Sequence, residues 1–390
     1  MVLIIKIILF VSLFCIFHSY ILFPLIVRIA ASGKTLKRNK LPEKLPFVSV
    51  IFAAYNEEKV IFQKIESTLA ASYPSENFEI IIGSDGSIDK TDEIIKGFQL
   101  KNKNIVFKRF EGRCGKSFIL NELVKIAQGE IYILTDANIL FSTELIANLV
   151  SHFNDSSIGL VGANIKNSGM RKDGISFQEE SYIKRENSIK YHEGLAWGTM
   201  MGAFGACYAI RRELFTPIRR NFFMEDFYLS MFVLSQKRKT INDLIAVAYE
   251  DVSNNISEEF KRKTRISIGN FQNLSVYWYV IFPFWKPVGF CFLSHKVLRW
   301  LGPLFLLLSF ISTAFLLNEH IFYKILFALQ AFGFISPVID LGLKKLNTHN
   351  FALRLVAYFY MMNFALALGI IKFASGITTS AWSPTARNIE

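Results

Sequence analysis

The apolar run Glu130-Ile-Tyr-Ile-Leu-Thr135 stops at Asp136-Ala137-Asn138, which places two oxygen-bearing side chains two residues apart at the end of a buried strand. In extended chain such residues point the same way, so Asp136 and Asn138 can offer oxygens to one hard divalent ion. An ion of that kind takes oxygen ligands and keeps waters and a substrate phosphate as its other partners. The crevice beyond the carboxyl ends of strands in an open parallel sheet is where ligands sit. The same tripeptide also reads as a turn or helix cap.

Three more polar clusters follow predicted strand ends: Tyr55-Asn56-Glu57, Ser84-Asp85-Gly86-Ser87 and Gly112-Arg113-Cys114-Gly115-Lys116. Asp85 offers a carboxylate to base or ribose donors, Arg113 and Lys116 offer cationic donors, and Asp136 with Asn138 can bridge a metal to a diphosphate. Each cluster is also explicable as a turn with a cap, but several on one rim of a parallel sheet build a site. Neither a G-x-x-x-x-G-K-[ST] loop nor a G-x-G-x-x-G fingerprint occurs, which removes support for a P-loop ATPase and for a Rossmann dinucleotide site. The chemistry suits a nucleotide-diphosphate donor.

The elements that must hold these loops alternate. Phe47 to Ala53, Glu79 to Gly83, Asn104 to Lys108 and Glu130 to Thr135 read as strands, and Glu57 to Ala71, Thr91 to Gln99 and Lys116 to Ala127 read as helices. This alternation predicts an α/β domain with a parallel sheet covered by helices.

Around that domain lie apolar spans. Ile7 to Val27 carries no charge and is long enough to cross a bilayer. It is too long for a cleaved signal peptide, and Arg28, Lys34, Lys37, Arg38, Lys40 and Lys44 form a basic stop-transfer flank. The positive-inside rule puts that flank in the cytoplasm and the amino terminus outside. Leu298 to Leu317, Ile321 to Leu343 and Phe351 to Ala374 are three further spans. The Asn318-Glu319-His320 turn, without Lys or Arg, belongs outside; Lys344, Lys345 and Arg354 mark the next loop as cytoplasmic, and the tail after Ala374 faces out. Asp340 suits a solvated interface position beside Lys344. Val276 to Leu293, broken by Pro283, Lys286 and Pro287, suits a helix lying in the interface. The expected layout is a membrane helix over 1–31, a soluble domain over 45–275, an interfacial segment over 276–293 and a three-helix bundle over 298–375.

The net charge of +12 owes much to the juxtamembrane flank, where anionic lipid rather than nucleic acid is the natural partner. Cys15, Cys114, Cys207 and Cys291 are far apart without metal-ligand spacing, so no disulfide framework or zinc site is expected.

The series Val48-Ser-Val-Ile-Phe-Ala-Ala-Tyr-Asn-Glu57, Ser84-Asp-Gly-Ser-Ile-Asp-Lys-Thr91, Arg113-Cys-Gly-Lys116, Thr135-Asp-Ala-Asn138 and Glu225-Asp226 resembles the family 2 glycosyltransferases of the GT-A fold, in order and spacing, over about residues 45 to 275. The flanking membrane helices resemble the polysaccharide synthase branch with the cellulose and hyaluronan synthases. The resemblance implies that Ala54, Tyr55, Glu57 and Asp85 frame the uridine of a UDP-sugar, with Arg113 beside it and Lys116 on the donor. It makes Asp136 and Asn138 the Asp-x-Asp position for Mg²⁺ or Mn²⁺, and Asp226 the general base. Gly205, Ala206 and Glu225 fall on the acceptor side. Arg262-Lys-Thr-Arg-Ile266 stands where synthases carry Gln-x-x-Arg-Trp, with Arg262 and Arg265 at the donor and Arg265 on its diphosphate. It also implies a multi-pass protein of a bacterial inner membrane with a cytoplasmic catalytic domain.

Two positions depart from the pattern. Asn138 removes one negative charge from the ion site, which should weaken or retune divalent binding. Ile266 and Arg262 replace the Trp and Gln associated with holding a growing glycan, so processive synthesis has less support than transfer itself. The expected reaction is a single inverting displacement, in which Asp226 takes the acceptor proton. Glu225-Asp226 also reads as a helix cap, and Arg262 to Arg265 as a membrane-facing basic stretch. Three function classes stay open: a synthase extending a glycan, a transferase adding one sugar to a lipid carrier or membrane lipid, and a non-catalytic nucleotide-sensing membrane protein. The C-terminal spans offer few polar positions, Gln330 and Asn363 among them, which argues against a wide pore from this chain alone.

Overall fold

A computed structural model describes residues 1–37, 41–168, 176–251, 255–346, 348 and 350–376. Arg38 and Lys40 of the basic flank, and the tail beyond Gly376, lie outside the described residues. The chain divides into two compact units, one of Val27–Ile256 and the other of Met1–Ile26 with Ser257–Gly376.

The first unit is built on an eight-stranded sheet: β1 (Val48–Ala54), β2 (Phe78–Ser84), β3 (Ile105–Arg109), β4 (Ile131–Thr135), β5 (Ile139–Phe141), β6 (Ile158–Ser168), β7 (Cys207–Arg211) and β8 (Lys239–Asp251). Their order is β3-β2-β1-β4-β7-β6-β8-β5. β1 and β2 are buried along their whole length, as continuous apolar runs covered on both faces must be. Val48, Val50, Phe52, Ile80, Ile82, Ile131 and Ile133 share one core with Ile61 and Ile65 of the Ile61–Leu69 helix. In register, Ala54 lies beside Ser84, so the loops that follow these two strands leave from one rim.

The parallel sheet expected of the first four strands is present from β3 to β4, and beyond it the sheet is mixed, with β6 and β8 again parallel. β7 runs antiparallel to β4, with Thr135 opposite Cys207, and β6 runs antiparallel to β7. A short apolar run such as Cys207-Tyr-Ala-Ile-Arg211 reads the same in either direction; only the connections fix it. The reversal matters because the start of β7 now lies beside the end of β4.

The helix expected from Glu57 begins at Ile61 instead. The residues before it are turned toward the loop after β2, where the Glu57 amide donates to Thr91 Oγ1 at 2.8 Å and the Glu58 amide to Asp89 Oδ2 at 3.1 Å.

In the second unit the Ile321–Lys345 and Phe351–Ala374 helices, with the Val2–Ala30 helix that begins in it, are long and apolar enough to cross a membrane. Pro287–Trp300 and Gly302–Phe315 form a pair bent by 62°. The break falls where Pro303 occupies the first turn of the second arm, a position at which its missing N–H costs nothing but the preceding helix cannot continue. The stretch from Leu298 to Leu317 is therefore interrupted near its start. Asp340 Oδ1 lies 3.7 Å from Arg354 Nε.

Candidate active site

Four loops meet at the rim formed by β1, β2 and β4. Asp85 follows β2 and is fully buried. Its amide donates to the Ala54 carbonyl at 2.9 Å. Its carboxylate accepts from Arg113 Nε at 3.1 Å, from the Cys114 amide at 2.6 Å and from the Gly115 amide at 3.3 Å. The residue expected to face the uridine thus also pins the whole Arg113–Gly115 loop. Gly86, at φ +71°, allows this approach, since a Cβ there would stand 2.8 Å from the Gly112 carbonyl oxygen. The Arg113 guanidinium lies over the Tyr55 ring, 3.4 Å from its centroid. Glu57 is buried nearby on the same loop as Tyr55.

Lys116 opens the Lys116–Leu123 helix. Its ammonium lies 2.5 Å from Asp136 Oδ1 and also pairs with Glu225 Oε1. Burial works to lower its pKa, but the Asp136 and Glu225 carboxylates outweigh it and raise the group well above the usual lysine range. The Asp136 side chain is 37% exposed and so remains open to a ligand. Asn138 sits in the turn that follows and is half-buried.

Glu225 and Asp226 are the first two residues of the Glu225–Ser235 helix, and both are buried. The capping position belongs to Met224, with no side-chain cap bond, so a capping role does not account for either carboxylate. Burial first, and then the neighbouring Glu225, push the Asp226 carboxyl up to about 6, against Lys116 and Lys190. Such a group is ionised at neutral pH yet holds a proton more strongly than an ordinary aspartate, which suits general base work. Gly205 lies against it: a Cβ at that position would stand 3.1 Å from Asp226 Oδ2. The Ala206 carbonyl accepts from the Asp136 amide at 3.1 Å and from Thr135 Oγ1 at 2.7 Å, so the loop of Gly205 and Ala206, expected on the acceptor side, is tied directly to the strand end that carries Asp136.

Among the described residues no three His, Cys, Asp or Glu side chains gather as a metal cage. Asp136 and Asn138 supply one carboxylate and one amide oxygen. That donor set fits an octahedral ion that takes the rest of its shell from waters and a diphosphate.

Arg262 and Arg265 belong to the second unit, on the Ile256–Tyr277 helix. Arg262 is engaged by Glu259, with Nε 2.8 Å from Oε2. Burial alone would raise the Glu259 pKa, but Arg262 and Lys263 hold it down at about 2.

Three residues near the site escaped the sequence reading. Lys64 is fully buried and donates to Thr135 Oγ1 at 3.1 Å. Lys190 places its ammonium 3.4 Å from the centroid of the Phe204 ring. Tyr208 is buried with its hydroxyl unpartnered among the described residues; burial, Glu225, Asp226 and Asp136 all raise its pKa. For Lys64 a signal existed: Ile61, Lys64, Ile65 and Thr68 form one buried helical stripe, and a lysine on the apolar face is the exception that marks a role.

Residues 49–218 match the family model described as Glycosyl transferase family 2. The chain is 29% identical over 126 residues to the beta-monoglucosyldiacylglycerol synthase of Nostoc sp. (strain PCC 7120 / SAG 25.82 / UTEX 2576), a match covering 32% of this chain and 27% of that protein. It is 34% identical over 118 residues to the poly-beta-1,6-N-acetyl-D-glucosamine synthase of Staphylococcus epidermidis (strain ATCC 35984 / DSM 28319 / BCRC 17069 / CCUG 31568 / BM 3577 / RP62A), covering 30% of this chain and 28% of that one. These curated relatives are thus matched over less than a third of their own length. A solved mannosyltransferase from Pyrobaculum calidifontis, in complex with GDP-Man and Mn²⁺, superposes with a TM-score of 0.73 at 18% identity, covering 95% of this chain and 99% of that one. The rim loops, the mixed sheet and the match over residues 49–218 lead to one conclusion: this segment is similar to glycosyltransferase family 2, and the chain carries the GT-A fold.

Proposed function

We propose that this protein is an inverting glycosyltransferase that moves a sugar from a nucleoside-diphosphate donor to a glycan or lipid-linked acceptor at the cytoplasmic face of a membrane. The observation that carries the reading is the cluster in which Lys116 joins Asp136 to Glu225, with Asp226 next in sequence and Gly205 against its carboxylate. Asp226 accepts the proton of the acceptor hydroxyl as that oxygen attacks the anomeric carbon. Its proton affinity, raised by burial, serves this step. Glu225 and Gly205 shape the acceptor side. Lys116 places positive charge where the nucleoside diphosphate leaves; the assignment of Arg265 to the diphosphate rests on the family resemblance alone. Asp136 and Asn138 would hold a divalent ion, Mg²⁺ or Mn²⁺, which when bound neutralises charge on the diphosphate.

The uridine reading of the donor rests on the family resemblance at Ala54, Tyr55, Glu57 and Asp85. The P. calidifontis enzyme was solved with GDP-Man, so the decisive screen includes both bases. Nucleoside diphosphate release, measured in membranes with UDP- and GDP-sugars and with Mg²⁺ and Mn²⁺, should appear with a UDP-sugar and vanish in Asp226→Asn. Absence of release with every donor would reject the enzyme reading in favour of nucleotide sensing.

Ile266, in place of an aromatic residue, favours a second reading, transfer of one sugar to a lipid carrier or membrane lipid. Product length from labelled donor separates it from glycan extension. The three helices of spanning length, with the bent pair, support a multi-pass membrane protein; the inner membrane rests on the family resemblance, and a cytoplasmic catalytic domain on the basic residues that follow the first span.

A further inference from the structure

We propose that Lys64 is a positioning residue, which fixes the direction of the Thr135 hydroxyl and thereby holds the Asp136 loop and the Gly205–Ala206 loop in one register. The proposal rests on reading Asp136 as a donor-side ligand and Gly205 as part of the acceptor side.

An ammonium can only donate. The Lys64 Nζ lies 3.1 Å from Thr135 Oγ1; in its charged form it makes that oxygen accept and directs the hydroxyl proton to the Ala206 carbonyl at 2.7 Å, nearer than the Asp136 carbonyl at 3.4 Å. Ala206 also accepts from the Asp136 amide at 3.1 Å. One carbonyl of the acceptor-side loop is therefore held by two donors from the strand end that carries Asp136, and Lys64 sets the sense of the relay. The ammonium is held in place from below by the Phe141 ring, 3.8 Å from its centroid, and by Phe52 at 5.4 Å. Among the described residues no carboxylate lies within ion-pair distance of it, so the fold gains no salt bridge from it. Burial pulls its pKa down to about 7, while Cys207 and Asp136 act in the opposite sense. An amine buried at that cost is poor scaffolding, and a methionine of the same length would pack more cheaply.

The test is a cycle of Lys64→Met, Thr135→Val and the double variant in the full-length protein in membranes or detergent, with Thr135→Ser as the conservative control. Lys64→Met should melt at or above the wild-type temperature, lose at least about tenfold in kcat with a donor KM within about threefold, and speed amide exchange in peptides spanning Thr135–Asn138 and Gly202–Tyr208. Thr135→Val should give the same losses, the double variant no further loss, and Thr135→Ser should restore turnover. Wild-type kcat and exchange in Lys64→Met, or additive losses in the double variant, would overturn the proposal. A fall in melting temperature with kcat unchanged per folded molecule would do the same. If Lys64→Met does not fold, the contrast between Thr135→Val and Thr135→Ser decides. Asp226→Asn in the same assay separates the two ideas: its retention of turnover sinks the catalytic reading, whereas the exchange measurement judges Lys64 whatever the donor.

Discussion

Gly205 faces the Asp226 carboxylate so closely that a single methyl group there would press on Oδ2 at 3.1 Å. A methyl in that place either turns the carboxylate or occupies space next to it. Gly205→Ala should lower kcat at least about tenfold and leave donor affinity by calorimetry within about twofold, since no donor-side residue is touched. Unchanged turnover would show that the space beside the base is not used.

Asp226 gives the pH dependence. With its pKa raised to about 6 by burial and Glu225, kcat/KM should be low at pH 5, rise through pH 6 and level above pH 7. Asp226→Asn should abolish transfer at all pH values while keeping donor binding. Because the folded carboxyl holds its proton more tightly than the unfolded one, the charged form is a destabilising burden that is absent below about pH 4 and complete above about pH 6. Asp226→Asn should therefore raise the melting temperature at pH 8 and leave it unchanged at pH 4.

Lys116 is the cation between Asp136 and Glu225. Removing it frees both carboxylates for another positive charge. Lys116→Gln should bind Mn²⁺ about tenfold more tightly in the absence of nucleotide, a gain of about 1.4 kcal/mol, while its turnover falls. Electron paramagnetic resonance of free Mn²⁺ reads the first effect, and weaker Mn²⁺ binding would contradict this account.

Asn138, proposed as the second metal ligand, brings no charge to that site. Asn138→Asp restores a second carboxylate two residues from Asp136 and should lower the Mg²⁺ concentration needed for half-maximal turnover several-fold. An unchanged metal requirement would place the ion away from residue 138.

The sequence disclosed the half of the domain proposed to hold the donor because that half is local: each strand is followed at once by its loop, and the polar residues stand where the apolar run ends. β1, β2, β3 and β4 lie within a residue or two of the expected positions. The acceptor half was less legible. Strand direction past Thr135 depends on connections of tens of residues, and nothing in Cys207–Arg211 itself says that it returns beside β4. The partnership of Lys116 with Glu225 joins residues far apart in sequence, so spacing could not show it. Lys64 was legible in principle from its place on the buried stripe of its helix, but the hydroxyl it serves lies on another strand.

Asp85 accepts from three groups of the Arg113–Gly115 loop. These bonds belong to the fold itself, so a nucleotide binding at Tyr55 and Arg113 as proposed would meet a surface already shaped. Less of the interaction energy is then consumed in ordering the protein at each encounter. Tightness for the donor becomes a property of the folded chain, and a change as remote as a lengthened loop at Gly112 would loosen binding without removing any atom that touches the ligand.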